Sequence, residues 1–361
     1  MRTLRQIAFV AADFAAGGIT RHLLDRFLIG YPRDGEFHRP ADCQIVLYTP
    51  GGVPANELQA RVQEFGLKLA DRVEAATSSA DAVVVVGRGT GDTADHGLIE
   101  TALHAARPGS CCFVHGALAN DAITARRFAA LTKTRGISLC AGSSVGLTYR
   151  LPEVDVPAGA SIRESVIVVQ GNFPAAESEA LEGLLPILER RGGGERGVQR
   201  IRLVSGDVVW QSSRSESWAW PLLGAALLRS NTVQGDPVKD GRTQDVLGLG
   251  LVPKLAKNPR CWFLEHTDGL KSAIFVLDGV VKDYNFAVRL ATGETISAQL
   301  YRPPSPMLDQ FSRLTAVMED FFRSGEPPWG LSRSFLIASV LEAMRSPAVQ
   351  DGSGKGVLVG Q

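Results

Sequence analysis

The segment "DAVVVVG", Asp81–Gly87, places four valines in a row with no polar residue between them. A strand with one wet face alternates polar and apolar side chains. An unbroken β-branched run instead needs apolar cover on both faces, which a parallel sheet between two helical layers supplies. The flanking sequence repeats this theme. "QIAFVAA" (Gln6–Ala12), "CQIVLYT" (Cys43–Thr49), "SCCFVHG" (Ser110–Gly116) and "ISLCAGS" (Ile137–Ser143) read as further strands. Helices are expected over Thr20–Leu28, Asn56–Phe65, Thr93–Ala106 and Asp121–Arg135. This alternation predicts an α/β domain with a doubly wound parallel sheet and Ala82–Val86 in a central strand. Ligands of such sheets bind outside the carboxyl ends of the strands. That rule selects Asp13–Thr20, Thr49–Gly52, Gly87–Asp92, His115–Ala119 and Gly142–Tyr149.

After Tyr149 the pattern changes. "SIRESVIVVQGNF", "GVQRIRLVSGDVVWQ", "CWFLEHTDGLKSAIFVLDG" and "VVKDYNFAVRLATGETISAQLYRPP" are β-rich, with turn signals at "TDGL", "LDGVV" and "ATGE". Helices are expected over Glu177–Arg190, Pro221–Arg229, Leu308–Arg323 and Ser332–Met344. The chain of 361 residues is long for one domain. The reading is two domains: residues 1–149, and residues 150–361 as an α+β domain on a large, mostly antiparallel open sheet.

Charge excludes one class of partner. Lys and Arg total 38, as do Asp and Glu, and no basic tract stands out, so nucleic acid is not an expected partner. No stretch has the roughly 18 apolar residues of a membrane helix, so no membrane partner is expected either. The apolar run Ile7–Ala12 is interrupted too soon for a leader segment and reads as the first strand. Five cysteines, at 43, 111, 112, 140 and 261, suit neither a disulfide framework nor zinc spacing. They point to a reducing cytoplasm, and no metal is expected.

Two further stretches suggest relatives. "HGALANDAITARRFAALTKTRGISLCAGS" runs from a strand end through an Ala- and Arg-rich helix into another strand. "GEPPWGLSRSFLIASVLEAMRS" reads as a closing helix. With the domain order, they make the chain resemble the glucose–fructose oxidoreductase and inositol dehydrogenase (Gfo/Idh/MocA) family. The resemblance implies a Rossmann-like nucleotide-binding-type domain followed by a substrate and oligomerisation domain. It also implies an NAD(P) cofactor, a sugar- or polyol-like substrate and a homo-oligomer, most simply a dimer. Family members often associate through the open sheet face, and "SAIFVLDGVV" and "YNFAVRLA" carry enough apolar residues to cover two faces.

The expected site residues depart from that family's pattern. A pyrophosphate site calls for Gly-x-Gly-x-x-Gly after the first strand. Here "AADFAAGGITRH" offers Asp13, Gly17 and Gly18, with the two glycines adjacent. The second strand ends Tyr48-Thr49-Pro50, so Thr49 stands where an acid would bind ribose. "GRGTGDTAD" is the best anion-binding loop: Gly87, Gly89 and Gly91 free the backbone and Arg88 supplies charge, countered by Asp92 and Asp95. The family's catalytic lysine maps to His115, a potential general acid or base that cannot replace a long cation. The helix expected to carry an Asp and a His four residues apart, "WAWPLLGAALLRSNTVQGDP", has no His, and its one acid, Asp236, falls in the following turn. Glu179 and Glu182 are the substitute candidates. His22 and His96 are weaker ones, whereas His38, His104 and His266 have no companions that suggest a site. The expectation is an oxidoreductase-fold protein without the usual hydride-transfer residues, binding NAD(H) and NADP(H) weakly or not at all. The other classes left open are a non-catalytic small-molecule-binding protein or subunit, and a dinucleotide-independent proton-transfer enzyme.

Overall fold

The computed structural model describes residues 3–15, 17–40, 43–50, 55–88, 95–171, 175–234, 246–304, 308–350 and 355–359. The chain divides into two compact units, and neither is one continuous stretch. The first is Met1–Ser144 with Pro303–Ala338; the second is Val145–Arg302 with Ser339–Gln361. Against the expected boundary at residue 149, the returning segment 303–338 packs with the first unit.

The first unit is built on six parallel strands. In chain order its elements are β1 (Gln6–Ala11), α1 (Ile19–Leu28), a hairpin of β2 (Tyr31–Arg33) and β3 (Glu36–His38), β4 (Gln44–Tyr48), α2 (Ala55–Phe65), β5 (Lys68–Leu69), α3 (Val73–Thr77), β6 (Ala82–Val86), α4 (His96–Ala105), β7 (Cys111–His115), α5 (Ala122–Arg135) and β8 (Ser138–Gly142). The sheet order is β5-β4-β1-β6-β7-β8, so the valine strand is interior. Val83 and Val85 face a core with Ile99, Leu103 and Phe128 of the helices that follow β6 and β7. The opposite face takes Phe9, which meets Phe27 of α1 edge-on at 5.7 Å, and Phe113, which meets Trp329 at 6.5 Å. Both faces are therefore covered, as the unalternated valines require.

The second unit holds an eight-stranded mixed sheet. Its strands are β9 (Tyr149–Leu151), β10 (Ile162–Val169), β11 (Val198–Ser205), β12 (Lys257–His266), β13 (Lys271–Asp278), β14 (Tyr284–Leu290), β15 (Thr295–Tyr301) and β16 (Val357–Leu358). The order is β16-β11-β12-β13-β10-β14-β15-β9, and only the β10–β13 pair is parallel. Helix α6 (Ala176–Leu188) packs on one face through Gly183, whose missing Cβ leaves room for Leu300 and Ile167. The other face is covered by α7 (Val208–Gln211), α8 (Ala219–Leu227) and α9 (Val252–Leu255), which bury Val166, Val168, Ala273, Phe275 and Ala287. The second apolar face of β13 and β14 is thus closed by the chain's own helices.

The C-terminal helices are α10 (Gln310–Ser324), α11 (Leu331–Arg345) and α12 (Pro347–Gln350). The apolar stripe of α10, including Leu314, Met318, Phe321 and Phe322, is buried. All five cysteines are free, and Cys111, Cys112, Cys140 and Cys261 are buried. Among the described residues no helix is long and apolar enough to cross a membrane.

Candidate functional site

The strand order of the first unit sets four sequence-selected segments side by side at the carboxyl edge. Thr49 follows β4, Ala12 and Asp13 follow β1, Gly87 and Arg88 follow β6, and His115 ends β7. Hydrogen bonds tie these ends together. The Ala12 amide donates to the Val86 carbonyl at 2.9 Å, and His115 lies in register with Val86 on one side and Gly142 on the other. Gly116 leaves the strand at φ +83°, a conformation that favours glycine, and its amide donates to the Gly142 carbonyl at 2.9 Å.

Two polar atoms at this edge are buried and without a hydrogen-bond partner among the described residues: His115 Nε2 and Thr49 Oγ1. Each belongs to a residue that is only partly buried overall, so the shielding is local. Burial lowers the His115 pKa to about 4, which leaves the ring neutral near pH 7. It can donate or accept one hydrogen bond through Nε2, depending on tautomer. It carries no positive charge there.

The glycines after β1 make a tight turn. Gly17 has φ +71°, and the Gly18 amide donates to the Ala15 carbonyl at 2.9 Å. A Cβ on Gly18 would stand 3.0 Å from that same carbonyl oxygen. Gly18 then caps α1 without a side-chain hydrogen bond. Asp13 is partly exposed, and Arg88 is exposed. Gly89, Gly91 and Asp92 of the expected anion loop lie outside the described residues, as do Gly51, Gly52 and Asp236. Asp95 caps α4, accepting from the Leu98 amide at 3.2 Å.

The other candidates have partners of their own. His96 Nε2 accepts from the Asn120 amide at 3.1 Å, which joins α4 to the loop after β7. His22 stacks on Phe311 at 5.2 Å, and burial and the neighbouring Arg26 lower its pKa. Glu179 and Glu182 lie on α6 in the second unit. Glu179 accepts the Tyr284 hydroxyl hydrogen, while Arg302 sits 3.8 Å from the same carboxylate and 4.3 Å over the Tyr284 ring. Burial and the Glu179 charge push the Tyr284 hydroxyl well above its ordinary range, so it remains a donor. Glu182 is 4% exposed and sits within the packed side of α6. Sequence reasoning missed Tyr284 and Arg302 because only the fold brings them to Glu179.

Helix α8, where the resemblance implies an acid and an imidazole, presents aromatic rings. Trp220 meets Trp210 at 6.2 Å and Phe275 at 6.1 Å, and Trp218 meets Phe263 at 6.3 Å. No group of three His, Cys, Asp or Glu residues that could hold a metal ion occurs among the described residues.

No protein-family model and no curated protein matches the chain. Solved structures match over nearly its whole length. The GenD2 protein of gentamicin A biosynthesis, solved in complex with NAD, superposes with a TM-score of 0.60 at 13% identity, covering 99% of this chain and 97% of its own. The myo-inositol 2-dehydrogenase of Lactobacillus plantarum gives 0.59 at 11% identity, over 99% and 100% of the two chains. The myo-inositol dehydrogenase of Lactobacillus casei, solved with NAD(H) and myo-inositol, gives 0.58 at 12% identity, over 99% and 98%. At these identities the likeness is one of fold. The chain has the two-sheet oxidoreductase fold of the inositol dehydrogenases, in agreement with the resemblance read from the sequence.

Proposed function

We propose that this protein binds a small, uncharged polar molecule of the sugar or polyol class at the carboxyl edge of the first sheet. It does not carry out ordinary NAD(P)-dependent hydride transfer. The observation that carries this reading is the orphaned Nε2 of His115 in a neutral ring. An unmade hydrogen bond at a buried polar atom costs about 1–3 kcal/mol, and a ligand hydroxyl or carbonyl would recover it. Thr49 Oγ1 offers a second such atom at the same edge.

Three features argue against a dinucleotide held in the family's manner. The Gly18 amide is taken by Ala15, so it does not face a pyrophosphate. Thr49, a neutral hydroxyl, follows β4 in place of a ribose-binding acid. His115 stands in place of the catalytic lysine, and a ring that titrates near 4 is both uncharged and a weak base at pH 7. We therefore assign no reaction step to a nicotinamide at this edge. The same weak basicity argues for binding over proton transfer by His115. NAD bound to GenD2 and to the Lactobacillus casei enzyme favours the second reading, a catalytic site rebuilt with other contacts to the cofactor.

Fluorescence and calorimetric titrations separate the two readings. The expected result is NADH and NADPH affinity no tighter than millimolar, with myo-inositol or a related polyol binding in a manner lost in His115→Ala. Micromolar NAD(P)H binding abolished by Arg88→Ala or His115→Ala would overturn the proposal. We further place the protein in the cytoplasm, supported by five free cysteines, and infer a homo-oligomer. Helices of the chain cover both faces of the second sheet around β10, so we expect assembly through another region, detectable by light scattering.

A further inference from the structure

We propose a second ligand site, for a small organic anion, in the second unit. It is a cavity of about 200 Å³ against the β11–β12–β13 part of the sheet. Its lining includes Arg200, Arg202, Glu216, Trp218, Phe263 and Lys271.

The charges are unequally matched. Glu216 is held on both oxygens: Oε1 accepts from Arg202 Nη2 at 2.5 Å, and Oε2 accepts from Trp218 Nε1 at 2.8 Å. Arg202 is further fixed over the Phe263 ring at 4.6 Å. That pair is internally neutral. Arg200 and Lys271 flank Glu265 across neighbouring strands, in register with it on either side. Neither forms an ion pair within 4.0 Å among the described residues. The lining thus carries three cations, Arg200, Arg202 and Lys271, against two carboxylates, Glu216 and Glu265, an excess of one positive charge.

The stem of Arg200 is also constrained. A Cβ on Gly356 would stand 2.7 Å from Arg200 Cδ and 2.9 Å from its Cγ, so the absence of a side chain lets this backbone lie against the arginine. A stem held in this way loses less freedom when its head group binds. Ser215 and Glu265 add polar lining, and Trp218 and Phe263, set edge-to-face at 6.3 Å, supply an aromatic side. A free cation beside aromatic rings selects a carboxylate or phosphate carried on an apolar or ring-bearing body.

The test is calorimetric titration of the full-length protein with phenyl phosphate, benzoate, benzyl alcohol and inorganic phosphate. Phenyl phosphate or benzoate should bind at least about tenfold more tightly than benzyl alcohol and than inorganic phosphate, equivalent to about 1.4 kcal/mol. Arg200→Gln and Lys271→Gln should each weaken that binding at least severalfold, with thermal unfolding confirming that the exposed Lys271 variant is folded. His115→Gln should leave it unchanged, which separates this site from the crevice of the first unit. Equal affinity for benzyl alcohol, equal affinity for inorganic phosphate, or wild-type affinity in Lys271→Gln would each overturn the proposal.

Discussion

The Oγ of Ser272 lies 2.8 Å from Nε2 of His266, and Nδ1 of the same ring lies 3.0 Å from Glu195 Oε1. The order Ser–His–Glu is that of an activated nucleophile. Burial decides against that role. Ser272 is 0% and His266 2% exposed, so no substrate reaches the hydroxyl. Ser165 donates to Ser272 at 2.8 Å, and Arg191 donates to both Glu195 and Asp268. The set is a buried polar brace. A fluorophosphonate probe should therefore leave Ser272 unlabelled in the folded protein. Glu195→Gln should cost about 3 kcal/mol in urea unfolding, because His266 and Arg191 lose a charged acceptor. Labelling at Ser272 would restore the catalytic reading.

Acid unfolding should show two separable windows. Burial opposes the ionised form of Glu195, but hydrogen bonds from His266 and Arg191 outweigh it and hold the carboxyl well below the usual range. A depressed carboxylate contributes stability above its unfolded pKa of about 4.3, and that contribution falls away as pH drops further. His115 acts higher. Its folded value of about 4 lies below the ordinary 6.5, so between these values the unfolded chain takes up a proton that the folded chain does not. Stability should fall as pH goes from about 6.5 to 4 for this reason, and His22, whose pKa is also lowered, adds to the fall below its ordinary value. In denaturant titrations at several pH values, His115→Gln should flatten the upper window and Glu195→Gln the lower. Identical pH profiles for wild type and His115→Gln would refute the assignment.

A buried carboxylate helps to hold the returning segment 303–338 to the first unit. Glu319 of α10 is 2% exposed. It accepts from Tyr31 OH at 2.9 Å and from Arg323 Nη2 at 2.7 Å, and lies 2.8 Å from His38 Nε2. Tyr31 and His38 are paired across the β2–β3 hairpin, so one carboxylate fastens that hairpin to α10. Tyr31→Phe should cost about 1–2 kcal/mol, and Glu319→Leu more, since it strips three donors of their acceptor at once. Hydrogen exchange should show faster opening of Tyr31–His38 in both variants, and unchanged exchange would count against the fastening role.

These contacts show what was and was not legible in the sequence. Asp81–Gly87 is readable because four valines admit few environments, and the helices α1, α4 and α5 follow from the strand–helix alternation. His38 and His266 look solitary in sequence because their carboxylate partners lie 281 and 71 residues away. No local pattern encodes such pairs. Adjacent glycines after β1 suit a phosphate loop or a plain turn in sequence, and the Gly17 conformation and the Gly18-to-Ala15 hydrogen bond make them a turn. His115 was found by the strand-end rule. Its orphaned, neutral state depends on burial, which one sequence does not display.

Two glycines of the second unit allow a sharper test of packing. A methyl on Gly183, in α6, would meet Leu300 Cδ1 at 2.7 Å, Val145 Cγ1 at 3.1 Å and Ile167 Cδ1 at 3.3 Å. All three are side-chain ends that can shift by rotation. The helix also gains up to about 1 kcal/mol when glycine becomes alanine. A methyl on Gly171 would stand 2.5 Å from the backbone nitrogen of Asp278 and 3.1 Å from its Cα. That backbone belongs to β13, where Asp278 pairs with Lys257 of β12, and Gly171 lies outside a helix, so no propensity gain offsets the clash. Gly183→Ala should therefore change stability by no more than about 2 kcal/mol, and Gly171→Ala should destabilise by about 3 kcal/mol or more. Gly183→Val, which adds two further methyl groups beside Leu300 and Ile167, should approach the Gly171→Ala cost. Midpoints of thermal unfolding for the three variants rank these effects, and a lower midpoint for Gly183→Ala than for Gly171→Ala would show that the side chains around α6 are the more rigid neighbours.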